Sequence, residues 1–167
     1  MQSYKRITHT FEPVYNENSK LLILGSLPSV KSREDGFYYG HPMNRFWRVI
    51  SILYGKSFPV TKEEKRELLL SLGIAVWDVI ESCDIKGSSD SSIQNVVPID
   101  LTPLLASCEI QAIYANGKTA ARLYRRYTQP VTQREIIELP STSPANAAYS
   151  LERLVECWKE RLGKKDG

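Results

Sequence analysis

The feature that most constrains this chain is an alternation of short apolar runs with amphipathic stretches. Leu21 to Leu24 is a run of four apolar residues ending at Gly25, the pattern of a strand buried on both faces. Phe46, Val49, Ile50 and Leu53 then recur at helical spacing. Thr61 and Glu64 form a T-x-x-E capping box ahead of Leu68, Leu69 and Leu72, and Gly73 suits the helix stop. Ile74 to Ile80 predicts a second strand, Ile110 to Ala115 a third and Ile136 to Leu139 a fourth. Asp100 is placed to cap a short helix carrying Leu101, Leu104 and Leu105, and another helix runs through Ala120, Leu123, Tyr124 and Tyr127. Leu151, Leu154, Val155, Trp158 and Leu162 form one continuous stripe on the final helix.

Short strands alternating with helices imply right-handed crossovers and a parallel sheet covered on both faces. The expected fold is therefore α/β, a three-layer α/β/α sandwich around a central four-stranded parallel sheet. The 167 residues suit a single domain spanning 1–167, with neither repeat nor linker to divide it. No stretch reaches the roughly 20 apolar residues that cross a bilayer. The N-terminus is basic at Lys5 and Arg6 without an apolar core segment, so the cytoplasm is the expected compartment. Cys83, Cys108 and Cys157 form no C-x-x-C pair, and His9 and His41 lack metal-ligand spacing. Three thiols cannot supply a four-cysteine cluster, and no metal or other cofactor is expected. A net charge of +3 does not by itself imply nucleic acid. The clusters Arg122–Arg125–Arg126, Arg45–Arg48 and Lys164–Lys165 are either solvated helix faces or parts of one basic surface.

In an open parallel sheet the functional loops leave the carboxyl ends of the strands. Here those are Gly25–Asn44, Glu81–Asn95, Asn116–Lys118 and Pro140–Asn146, the polar, Gly/Ser/Pro/Asn-rich parts of the chain. The first is long for a strand-to-helix connection and carries neither GxxxxGK[ST] nor GxGxxG. Asn44 stands at a helix start, where it is either a capping residue or a working amide. In the last loop, LPSTSPANAAYS, hydroxyls and prolines lead into a helix start whose amides suit a phosphate, or which Ser143 or Asn146 simply caps.

Taken together, G-S-x-P-S at Gly25–Ser29, H-P-x-N-R-F-W at His41–Trp47 and S-x-S-P-A-N at Ser141–Asn146 resemble the uracil-DNA glycosylase superfamily. Within it the chain resembles the hypoxanthine-DNA (deoxyinosine) glycosylase branch, with WDVIESC (Trp77–Cys83), GSSDSSI (Gly87–Ile93) and NGKTA (Asn116–Ala120) in support. The resemblance runs from about Leu21 to Trp158. HPMNRFWRVI is shared in kind with mismatch-specific uracil glycosylases. Those relatives carry an asparagine where this chain has Leu27, and uracil-specific enzymes carry a histidine where it has Ser141.

The resemblance implies hydrolysis of the N-glycosidic bond of a deaminated base flipped out of double-stranded DNA, by a monomer needing no protein partner or membrane. Asn44 takes the water-orienting role, and Asn116 either bonds the base edge or supports Asn44. Phe46 stacks on the base or belongs to the helix core, while Tyr39 and Ser26 complete the base pocket. Ser29, Ser141 and Ser143 meet phosphates, with Asn146, Ala147 and Ala148 near the gap left by the flipped nucleotide. Asp78 and Asp90 read as capping or structural acids. The alternatives are a mismatch-specific uracil glycosylase, a lesion-binding protein without catalysis, and an α/β module for a small nucleotide.

Overall fold

A computed structural model describes residues 3–87 and 89–163; Lys164–Lys165 and Ser88 of the GSSDSSI segment lie outside the described residues. The strands are β1 (Tyr4–Thr8), β2 (Leu21–Gly25), β3 (Ile74–Asp78), β4 (Ile80–Lys86), β5 (Gln94–Pro98), β6 (Ala112–Asn116) and β7 (Ile136–Leu139). The helices are α1 (Val30–Asp35), α2 (Phe46–Tyr54), α3 (Lys62–Ser71), α4 (Thr102–Ser107), α5 (Lys118–Leu123), α6 (Gln129–Thr132) and α7 (Leu151–Leu162). A π-helical stretch, Tyr124–Thr128, joins α5 to α6.

Every residue of β2 is buried because this strand lies inside a parallel sheet of order β3-β2-β6-β7. Its apolar run needs cover on both faces and receives it. On one face Phe46, Trp47, Val49 and Ile50 of α2 pack with Leu69 of α3 and with Leu154, Trp158 and Leu162 of α7. On the other, Leu104 of α4 and Ala120, Ala121 and Leu123 of α5 pack beside Ile80, Cys83 and Ile85 of β4. The expected three layers are present, with part of one outer layer made by a small sheet instead of helices.

That sheet, antiparallel in the order β1-β4-β5, is the main departure from expectation. The apolar stretch Ile74–Ile80 is not one strand. It ends at Asp78, and after Val79 the chain enters β4 and pairs with β1, Tyr4 opposite Lys86 and Thr8 opposite Ser82. Val79 N–H donates to the Gly25 carbonyl, and Ile99 N–H donates to Val79 (2.8 and 2.7 Å), which fixes the bend. The third expected strand is displaced toward its carboxyl end, to Ala112–Asn116. The Thr61–Glu64 capping box forms in both directions, and Gly73 follows α3 with φ 71°. Cys83 and Cys108 are buried and Cys157 half-buried, all as free thiols. Among the described residues no helix is long and apolar enough to cross a membrane.

Candidate active site

From β2 the chain crosses to β3 on one side and later returns to β6 on the other. The sheet therefore reverses its direction of winding between β2 and β6, and in open parallel sheets such a reversal is where ligands bind, outside the carboxyl ends of the strands. Gly25 and Asn116 end those two strands. Gly25 is required there by a close approach: a Cβ would fall 2.5 Å from Asp78 Oδ1 and 3.2 Å from the Tyr39 hydroxyl. Asp78 is the residue paired with Gly25 across the sheet. Its other oxygen takes a 2.8 Å hydrogen bond from His9 Nε2, and both side chains are buried. Asp78 is thus held by a partner from the end of β1, 69 residues away.

Asn44 and Asn116 are brought together through a third residue. Thr142, fully buried, donates its hydroxyl hydrogen to Asn44 Oδ1 (2.8 Å) and accepts from Asn116 Nδ2 (3.0 Å). Two backbone donors fix the orientation of this network. The Phe46 N–H lies 2.9 Å from the Asn44 atom facing it, and the Thr142 N–H lies 3.0 Å from the Asn116 atom facing it. A backbone N–H only donates, so both of those atoms are amide oxygens. The Asx turn of Asn44 and its bond to the Thr142–Asn116 pair are therefore one arrangement.

Arg45 locks the second loop to the first. Its backbone N–H donates to the Thr142 carbonyl (3.0 Å). Its guanidinium donates to the carbonyls of Thr142 (3.4 Å), Ser143 (2.9 Å), Asn146 (3.1 Å) and Tyr149. Burial first, and the neighbouring Arg48 second, hold its pKa below the ordinary arginine value. Arg45, expected on a solvated helix face or a basic surface, instead turns its guanidinium to the second loop, where four carbonyl oxygens converge.

The aromatic pair differs in detail from expectation. Phe46 is fully buried, and Tyr39 stacks on it with ring centroids 4.1 Å apart and planes at 18°. Phe46 thus belongs to the core, and the half-buried ring of the pair is that of Tyr39. Tyr39 has φ 54°, a left-handed conformation that turns it opposite to its neighbour. Tyr38 goes into the core, and its hydroxyl donates to the Glu12 carbonyl (2.8 Å). The Tyr39 hydroxyl is shielded from solvent and makes no hydrogen bond of standard geometry. Burial first, and the charge of Asp78 second, raise its pKa, while the nearby Asn116 amide opposes them.

The remaining candidates brace the two loops. Ser26 is half-buried, and its carbonyl accepts from Ile80 N–H (3.1 Å). Ser29 caps α1, accepting from Ser32 N–H (3.1 Å). Ser141 accepts from Ser143 N–H and Ser143 from Ala145 N–H (3.1 Å each), and Asn146 Nδ2 donates to the Ser141 carbonyl (3.0 Å). Ala147 and Ala148 are exposed. Leu27 packs against the core beneath β2, consistent with its inability to orient water. In the Arg122–Arg125–Arg126 cluster, Arg125 pairs with Glu138 (3.8 Å) and Arg126 lies over the Tyr127 ring (5.1 Å).

Thr142 and His9 are the functional-site residues that sequence reasoning missed. Thr142 sits among serines with nothing to distinguish its hydroxyl, and His9 meets its partner only through the pairing of the two sheets.

Three comparisons bear on this geometry. The model of the Uracil DNA glycosylase superfamily matches residues 12–161. A hypoxanthine DNA glycosylase of Methanosarcina acetivorans is 34% identical over 149 residues, 88% of this chain and 93% of that one. Another, of Methanosarcina barkeri, is 37% identical over 86 residues, 51% of this chain and 54% of that one. A solution NMR structure of a Methanosarcina acetivorans protein, named as a candidate uracil DNA glycosylase, superposes with a TM-score of 0.75 at 34% identity. That superposition covers 87% of this chain and 91% of the other.

Proposed function

This chain belongs to the uracil DNA glycosylase superfamily, and we propose that it acts within it as a hypoxanthine-DNA glycosylase. On this reading it hydrolyses the N-glycosidic bond of deoxyinosine in DNA, as the first step of base excision. The observation that carries the reading is the pair of carboxamides, Asn44 and Asn116, oriented by Thr142 at the carboxyl end of β6. Beside them this chain has Leu27 and Ser141, and both sites of difference leave the work to Asn44 and Asn116.

The sugar–base bond is hidden in a stacked duplex, so the target nucleotide must leave the stack, at a cost of a few kcal/mol that is lowest for mispaired bases. The departing base leaves a sugar cation of oxocarbenium character, which a water can capture without a strong base. Neutral amides held in fixed directions therefore suffice, and positioning supplies the catalysis. On this reading the half-buried Tyr39 ring, stacked on Phe46, is the wall against which the base rests. The Ser29, Ser141 and Ser143 turns approach the phosphates on either side of the flipped nucleotide.

The deciding experiment is a single-turnover assay on duplexes containing deoxyinosine, deoxyuridine or deoxyxanthosine, read as alkali-labile abasic sites. Preferential cleavage at deoxyinosine is expected. Faster cleavage at deoxyuridine would make it a uracil enzyme, and tight lesion binding without any abasic site would make it a binding protein.

A further inference from the structure

We infer that Asn44 acts through its amide N–H groups, as a hydrogen-bond donor to the departing purine, and that Thr142 is the positioning residue that holds it in that direction. The inference rests on the proposed hypoxanthine reading and assigns a direction that the reading leaves open.

An amide oxygen has two lone pairs, and an amide nitrogen none to offer. The Asn44 oxygen already accepts from Phe46 N–H and from the Thr142 hydroxyl, at 2.9 and 2.8 Å. Both acceptor positions are filled by donors built into the fold. The oxygen is therefore not available to take a hydrogen from an attacking water, which is what orienting a nucleophile requires. The half-buried side chain can offer a bound base only its NH2 group.

The arrangement cannot be reversed by flipping the amide. A flip would set the NH2 against the Phe46 N–H, donor against donor. Thr142 is constrained in the same way: Asn116 Nδ2, fixed by the Thr142 N–H on the Asn116 oxygen, can only donate to its hydroxyl, and the single hydroxyl hydrogen goes to the Asn44 oxygen, which can only accept. Every hydrogen in the chain from Asn116 to Asn44 has one allowed direction.

A donor fits the chemistry of a purine leaving group. As the C1′–N9 bond breaks, its electron pair passes to the base, and negative charge spreads over N3, N7 and O6. An Asn44 N–H directed at one of these acceptors stabilises the charge as it develops. Water forms the new bond to C1′ and releases its surplus proton to solvent, and the purine anion takes up a proton from solvent. The balance is plain hydrolysis with no further reagent.

The test is Asn44→Asp, compared with wild type in single-turnover cleavage of an inosine duplex between about pH 5 and 9. The variant keeps size and keeps an oxygen facing Phe46 and Thr142, but replaces the NH2 with a second carboxyl oxygen. The ratio of variant to wild-type rates cancels any pH dependence that both proteins share, including that from the neighbouring charged and ring groups at His9, Asp78 and His41. We expect the ratio to be down about a hundredfold at neutral and alkaline pH, the cost of removing one preorganised donor. It should recover on acidification, when the protonated carboxyl donates again. A ratio near one, or one that rises with pH as a carboxylate base would make it, overturns the donor role.

Thr142→Ser and Thr142→Val form the second arm, with melting temperature and lesion-DNA affinity measured beside the rate. Serine should stay within about threefold of wild type, and valine should lose about tenfold or more at unchanged DNA affinity. Full activity in the valine variant overturns the positioning role. If the wild-type protein leaves inosine DNA intact, the proposed function itself falls, before any variant is compared.

Discussion

The two loops that meet over the ends of β2 and β6 are held by different physics. The first, residues 26–45, is fixed from beneath by rings: Tyr39 lies flat on Phe46, and Phe37 stacks on Trp47 at 6.1 Å. The second, residues 140–150, buries little besides Thr142, and its shape depends on hydrogen bonds, above all those that Arg45 makes to its carbonyls. Ring packing fixes position but imposes no direction on a polar group, whereas hydrogen bonds are directional. The site uses the first kind of restraint to place Asn44 and the second to turn it.

The sharpest way to break this distinction is to remove the reacting group. Asn44→Ala is expected to slow single-turnover excision about 100- to 1000-fold with lesion-DNA affinity nearly unchanged. An equal loss from an alanine at any serine of the second loop would show that the loops do not divide the work. Next comes the clamp. Arg45→Met leaves converging carbonyls without a donor, and we expect a loss of about 2 kcal/mol in unfolding free energy. Amide hydrogen exchange should accelerate at residues 142–149 and stay unchanged at 26–44; uniform acceleration would mean that the loops are one unit.

A smaller effect of opposite sign is expected at Tyr39. Removing a buried hydroxyl without a standard hydrogen bond, in Tyr39→Phe, should raise stability by about 1 kcal/mol and keep excision within about threefold. A large activity loss there would give the first loop a polar role beyond packing. The smallest effect is assigned to Ser143→Ala, about two- to threefold weaker DNA binding at low salt, with the difference shrinking as salt rises. A salt-independent loss would place that hydroxyl in loop folding alone.

How far these features could be read from sequence depends on where each residue finds its partner. Leu21–Leu24 and the Leu151–Leu162 stripe announce themselves because burial on two faces, or along one stripe, writes a local pattern. β1 does not: in YKRIT only Ile7 packs inward, and the strand exists because β4 lies alongside it, with partners 74 or more residues later. β4 buries Ile80, Cys83 and Ile85 with its alternation broken by register shifts against β5, and it follows β3 so closely that its start merges into one apolar run. Asn44 and Asn116 were legible through motif resemblance. The inward turn of Arg45 was not, since a guanidinium at a helix start has the same spacing whether it meets solvent or carbonyls.

The contact between α2 and Asn44 has one more consequence. The helix begins at Phe46, so the N–H that points at the Asn44 oxygen is one of its free amino-terminal donors, at the positive end of the helix. With the Thr142 hydroxyl added, two donors draw electron density toward that oxygen. Coupled hydrogen bonds of this kind strengthen each other by about 10–30% per bond. The nitrogen end of the same amide becomes correspondingly more acidic. A side chain with no ionisable group is thereby electronically tuned by the backbone around it, and the two donors that tune it, a backbone N–H and a hydroxyl, carry no ionisable group themselves.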